Sequence, residues 1–171
     1  MAQDMEKLVS DIVKQVLGQE SSDVKTASTV KNSMAKMNLS AAKKTIEAVQ
    51  KKASEIGVKA VTAIADAGGN PIAVECMDDA FIASYDIAVN KAFTVVSLKM
   101  PTKNLATLAA PGGSLYGIQF TNNGKIIIFG GGEPLTNKDG VIIGGLGVSG
   151  GTAEQDTLLG EYGKAFFESL N

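Results

Sequence analysis

The residues of this chain able to do chemistry are few, and one type is missing. There is no histidine. That removes Ser-His-Asp and Cys-His catalysis, histidine-ligated zinc and the usual histidine ligand of haem. Acid–base or ligand work falls to Asp, Glu, Lys, Tyr and the one cysteine, Cys76. Asp66, Glu75, Asp78 and Asp79 cluster along one stretch. Such oxygen donors can hold a hard cation, although turn-forming and surface carboxylates are commoner. Cys76 alternates with Glu75 and Met77, so on a strand either Cys76 or its two neighbours face inward. A buried, inert cysteine is the more frequent outcome. Lys91 and Lys99 can pair with an anionic ligand or form an exposed face, and their spacing does not choose between these.

Ten of the nineteen glycines fall between Gly124 and Gly151. Among them Gly145-Leu146-Gly147-Val148-Ser149-Gly150 has dinucleotide-binding spacing, after a strand-like run and before a helix. That fingerprint also needs a second parallel strand with an acidic end, and here one helix runs to Asn171. A glycine-rich strand exit where backbones pack closely is the reading for most of these residues. Gly130-Gly131-Gly132 reads as a bulge or as the wall of a pocket for a flat ligand. A Walker phosphate loop is absent, because Gly124-Lys125 is followed by Ile126 and has no upstream glycine at the required spacing.

The elements that must position these residues follow from periodicity and punctuation. Met5, Leu8, Val9, Ile12, Val13 and Val16 recur at helical steps, so residues 1–17 form a short amphipathic helix ended by Gly18. Residues 18–37 are polar and rich in Ser, Thr and Lys, the composition of a flexible linker. A helix on such a tether reads as a docking device, because a long structureless loop inside a compact domain is uncommon. The domain then occupies 38–171. Asn38 caps a helix whose apolar face is Leu39, Ala42, Ile46, Val49, Ala53 and Ile56. Val58–Asp66 and Ile72–Met77 are strands joined by the turn at 67–71. Helices are predicted over 83–99 and from Thr102 to Ala109. Strands follow at Leu115–Thr121 and Lys125–Phe129, with Asn123-Gly124 as their two-residue turn. Ile126–Phe129 and Val141–Ile143 flank the turn Asn137-Lys138-Asp139-Gly140 as a second hairpin. Thr152 with Gln155 is a capping box opening the last helix, Ala153 to about Leu170. Strands arrive in hairpins rather than alternating with helices. The expected fold is therefore α+β, a mostly antiparallel five-stranded sheet with helices packed on its faces.

At 171 residues, with a net charge of −2 and no basic stripe, the chain is read as one domain with an appendage and no nucleic-acid surface. No apolar run reaches the roughly 20 residues of a membrane span. The charged N-terminus is unlike a secretory signal, and one cysteine is in keeping with a reducing, cytoplasmic compartment. Residues and spacing alone stop at a ligand-binding or assembly-forming α+β domain with a docking helix.

Several segments together are more specific. Asp66-Ala67-Gly68-Gly69-Asn70, Met77-Asp78-Asp79-Ala80, Asp86–Ala92, Ser114-Leu115-Tyr116-Gly117, Ile126–Gly132 and Gly144–Asp156 resemble the GlcG/HbpS-like haem-binding family. Within it, the stretch from about Leu39 to Leu170 resembles the C-terminal domain of PduO-type corrinoid adenosyltransferases. The resemblance implies a compact domain, homo-oligomers, and binding of haem or a related tetrapyrrole. It does not bring the adenosyltransferase activity, which belongs to a separate domain of PduO. Without histidine, the iron ligand it implies would be Cys76, Met77, Lys91 or Tyr116, with Gly130, Gly131, Gly132, Ser149, Gly150 and Gly151 bare for the ring. Residues 1–17 resemble the encapsulation peptides that carry cargo into bacterial microcompartments, which implies a shell or cargo protein as partner. The expectation is a non-enzymatic, haem-binding accessory protein supporting cobalamin or redox metabolism. Its rivals are an enzyme acting on haem or corrinoid, and a ligand-free structural oligomer.

Overall fold

The computed structural model describes residues 34–170. The docking helix expected over 1–17, and the linker as far as residue 33, lie outside them. Met37, at the end of the expected linker, is buried against the domain.

Helix α1 spans Leu39–Glu55. Asn38 caps it, accepting from the Ala41 amide at 2.9 Å. Its stripe of Ala42, Ile46, Val49 and Ala53 is fully buried, while Leu39, the first residue of the helix, stays exposed. Strands β1 (Val61–Asp66) and β2 (Pro71–Cys76) form the first hairpin. Asp66 folds their turn, accepting from the amides of Gly68 at 2.8 Å and Asn70 at 2.9 Å. Helices α2 (Ile82–Leu98) and α3 (Thr102–Ala109) follow. Strands β3 (Gly132–Thr136) and β4 (Ile142–Ser149) form the second hairpin, and α4 (Ala153–Ser169) ends the described chain. Thr152 and Gln155 cap α4 reciprocally, as their spacing predicts.

The α+β class and the antiparallel pairing hold, but the five-strand expectation does not. Among the described residues the sheet has four strands, in the order β2-β1-β4-β3. Leu115–Thr121 is a run of turns with a 3₁₀ turn at Ile118–Phe120. Asn123-Gly124 does not close a hairpin: it lies in a 3₁₀ turn, Asn122–Gly124, and neither flanking segment is a strand. Ile126–Phe129 is not a strand either, although Ile126 is buried. Its Ile127 amide is satisfied by a side chain instead of a ladder. The Thr94 hydroxyl on α2 accepts from the Ile127 amide at 3.0 Å, and it lies 3.2 Å from the Lys125 carbonyl. The hairpin partner of β4 therefore begins six residues later than Ile126, at Gly132, in a stretch of low strand propensity, Gly-Glu-Pro-Leu-Thr. Pro134 is tolerated there because β3 is an edge strand.

The sheet is covered on both faces. On one, α1 and α4 bury Ile46, Val49, Leu159 and Phe167 against Ile64, Leu135 and Leu146. On the other, α2 presents Ala88 and Ala92 to Val61, Ala63 and Ala65. There α2 approaches β4 so closely that a Cβ on Gly145 or Gly147 would strike the carbonyl of Ala92 or Ala88. Those two glycines of the dinucleotide-like pattern are thus covered by the chain's own helix, inside a strand with antiparallel neighbours on both sides. No described helix is long and apolar enough to cross a membrane.

Candidate functional site

The charged centre of the domain is a buried ion pair. Lys91 projects from α2, fully enclosed, and donates to Asp156 Oδ2 at 2.8 Å and to the Val148 carbonyl at 2.7 Å. The ring of Phe129 lies 4.9 Å from Nζ, a cation–π distance. Asp156, in the first turn of α4, accepts from the Gly151 amide through Oδ1 at 2.9 Å. A carboxylate there also faces the positive end of the helix dipole. Burial pulls the Lys91 ammonium below its usual range, and the Asp156 charge opposes that pull. Gly131 makes the arrangement possible. Its φ is +109°, and a Cβ there would stand 2.6 Å from the Val148 carbonyl and 2.7 Å from Lys91 Nζ. The pair ties α2, the end of β4 and the start of α4 into one unit.

Outside this pair, on the far side of Phe129, lies a cleft of about 430 Å³. Phe129, Gly130, Ala106, Ala153 and Leu158 give it apolar walls, Thr157 adds a hydroxyl, and Lys103, Glu154 and Glu161 form a charged rim. Phe129 and Leu158 are both substantially exposed. Lys103, on α3, pairs with Glu161, on α4. That contact holds the Lys103 ammonium above its usual range. Gly130 brings backbone to the wall while its own face abuts Thr157 of α4.

Behind the rim sits Glu133, on β3, only 4% exposed. Among the described residues no ion pair or hydrogen bond reaches its carboxylate. Burial pushes its carboxyl up to about 7, against partial relief from Lys103 and Lys164 and opposition from Glu161 and Glu168. Gly160 leaves it room, since a Cβ there would lie 3.4 Å from Glu133 Cγ.

The residues singled out in the sequence fall in several places. Lys91 and Gly131 meet in the ion pair, Gly151 donates to it, and Gly130 lines the cleft. Gly132 packs against Thr102, whose hydroxyl accepts its amide at 2.8 Å. Ser149 is buried and bonded to Ser84 at 3.1 Å, and Gly150 abuts Lys59 and Ala60. Cys76 and Met77 belong to a separate cleft of about 500 Å³ with Lys51 and Lys59. There Cys76 is exposed and the Met77 sulfur accepts from the Ala60 amide at 3.3 Å. Tyr116 is exposed on the loop after α3. Asp66, Glu75, Asp78 and Asp79 do not converge, and no described group of three or more acidic or cysteine side chains is placed to hold a metal. Sequence reasoning passed over Asp156, Glu133, Lys103 and Phe129. Two of these carry a signal: Asp156 is an acid just inside a capping box, and Glu133 is the lone charge in the apolar start of a hairpin.

With that geometry in view, comparison with known proteins is informative. The family model described as "Haem degrading protein HbpS-like" matches residues 37–164. An uncharacterised 15.0 kDa protein from the dhaT-dhaS intergenic region of Citrobacter freundii is 47% identical over 137 residues, 80% of this chain and 96% of that protein. The corrinoid adenosyltransferase PduO of Salmonella typhimurium is 41% identical over 109 residues, 64% of this chain but 32% of PduO. A crystal structure of a PduOC:haem complex superposes with a TM-score of 0.73 at 35% identity, covering 77% of this chain and 94% of that one.

Proposed function

The chain belongs to the HbpS-like family, and from that premise we propose that it is a non-enzymatic haem-binding protein whose ring site is the Phe129–Leu158 cleft. The observation that carries the reading is the make-up of this cleft: apolar walls around about 430 Å³, with an ammonium at its rim. Phe129 and Leu158 would contact the ring face, and Lys103 would neutralise a propionate. The likeness to a PduOC:haem complex supports this. Bound haem would supply a redox-active iron. The soft donors Cys76 and Met77 line the other cleft, so in this reading the protein grips ring and carboxylates rather than the iron through sulfur. The Lys91 amine is enclosed and committed to Asp156 and Val148, which favours an accessory role over a catalytic one.

Haemin added to the purified protein will shift its Soret band at micromolar concentration. Leu158→Glu and Lys103→Glu will weaken binding, while Cys76→Ala will leave it unchanged. An unshifted band refutes haem binding, and loss on Cys76→Ala moves the site to the other cleft.

The same reading extends to assembly and location. Phe81, Ile82, Tyr116 and Phe120 are more than two-thirds exposed, which supports a homo-oligomer in which another copy covers them. Sedimentation of a monomer alone at micromolar concentration would refute it. Residues 1–17 would carry the protein to a shell or cargo partner inside a cytoplasmic bacterial microcompartment. A fluorescent protein fused to residues 1–20 will form foci in compartment-forming cells, and a diffuse signal overturns this part. There the bound tetrapyrrole would support cobalamin or redox metabolism.

A further inference from the structure

Glu133 has no part in the ion pair or the cleft wall, yet the fold encloses it where an apolar residue would pack at lower cost. Its surroundings are specific. Its Cγ packs against Gly160 of α4, next in sequence to Glu161, whose carboxylate holds Lys103 of α3; the charges of Lys103, Glu161, Lys164 and Glu168 all act on it. β4 offers no titratable side chain, and on α2 the nearby Lys91 is bound to Asp156. The two ammonium groups are each already engaged by an exposed carboxylate, Lys103 by Glu161 and Lys164 by Glu168. Glu133 is therefore the fifth, unmatched charge of a group with three carboxylates and two ammoniums. Lys103 is shared between this group and the rim of the cleft.

We propose that Glu133 is a proton-operated positioning residue: neutral, it leaves Lys103 available at the cleft rim for a carboxylate-bearing ligand; ionised, it draws Lys103 back toward β3. In the ionised state Lys103 answers to two carboxylates, Glu161 and Glu133, and an incoming anion also meets one more negative charge. Binding of an anionic ligand thus weakens as pH rises through neutrality, where burial has placed the Glu133 carboxyl. The effect on affinity rests on the cleft being the ligand site proposed above, whereas the effect on Lys103 does not.

Two measurements separate these. The first follows the side-chain carbon resonance beside the Lys103 ammonium between pH 6 and pH 8, in the wild type and in Glu133→Gln. An inflection near neutral pH in the wild type that disappears in Glu133→Gln is expected. Its persistence in the variant, or its absence from the wild type, overturns the proposal. The second measures haemin affinity at the same two pH values. The wild type should bind about fivefold more weakly at pH 8 than at pH 6, and Glu133→Gln should bind equally at both. An equal loss in both proteins overturns the proposal. No haemin binding at either pH refutes the proposed function instead, and the resonance measurement then decides the switch by itself. Glu133→Gln keeps the side chain's shape, so its fold is checked by an unchanged amide spectrum away from the rim.

Discussion

Replacing Lys91 by Met keeps a side chain of similar length and removes the ammonium. Asp156, 3% exposed, is then left with the Gly151 amide as its remaining donor, and the Val148 carbonyl loses its side-chain partner. Two charge-assisted hydrogen bonds at roughly 1.5–3 kcal/mol each agree with the roughly 3–5 kcal/mol seen when one partner of a buried pair is removed. Against a domain stability of about 5–15 kcal/mol, Lys91→Met alone removes a large share of what holds the protein folded. Asp156→Leu strands the ammonium and costs a similar amount. The double variant removes both charges, and its cost falls short of the sum of the singles by about 2 kcal/mol or more. The chain has no tryptophan, so urea unfolding is best followed by far-UV circular dichroism. Single variants within about 1 kcal/mol of the wild type, or strictly additive costs, would refute the assignment of this pair as the tie between α2 and α4.

Two further outcomes follow from the same geometry. The carboxyl of Glu133 is raised from 4.5 to about 7 on folding. Its contribution to stability is therefore complete below pH 4.5 and is lost as pH rises through 7. Linkage makes that loss about 2.5 kcal/mol between pH 5 and pH 8; Glu133→Gln abolishes this slope in thermal melts, and an unchanged slope would show the group is not enclosed. Gly131→Ala meets both a left-handed φ and the Val148 carbonyl at 2.6 Å, so it costs about 3 kcal/mol or more. Gly124→Ala, at φ +75° with open space around it, costs about 1–2 kcal/mol, and equal losses in urea midpoint for the two would contradict the packing described here.

Much of the fold was legible where local chemistry and tertiary packing agree. The α1 stripe, the Asn38 cap, the Asn137–Gly140 turn and the Thr152–Gln155 box are all specified within a few residues, and each forms as its spacing predicts. The strand count was not legible, for two opposite reasons. Ile126–Phe129 has strand composition, but its backbone partner is a threonine on a helix thirty-odd residues earlier. Gly132–Thr136 has poor strand composition, but β4 and Thr102 supply its backbone partners. Neither fact is encoded in a short window. The glycines were legible as sites of close approach, but not what approaches. At Gly145 and Gly147 it is α2, and at Gly131 it is the Lys91 ammonium. Lys91 itself was noticed, whereas its partner lies 65 residues away across the fold.

The proline in β3 also bears on how copies of this domain can join. Gly132 and Pro134 point their backbone nitrogens to the same side, away from β4. The first is spent on Thr102 and the second carries no hydrogen. That margin of the described sheet therefore lacks two of its donors, which leaves the β2 margin better able to accept another strand. Copies that meet strand to strand through β2 alone pair it with itself about a two-fold axis. Such a contact consumes itself in a pair and offers no fresh edge. Pairing of that kind lets the domain be concentrated without its sheets running on into a fibre.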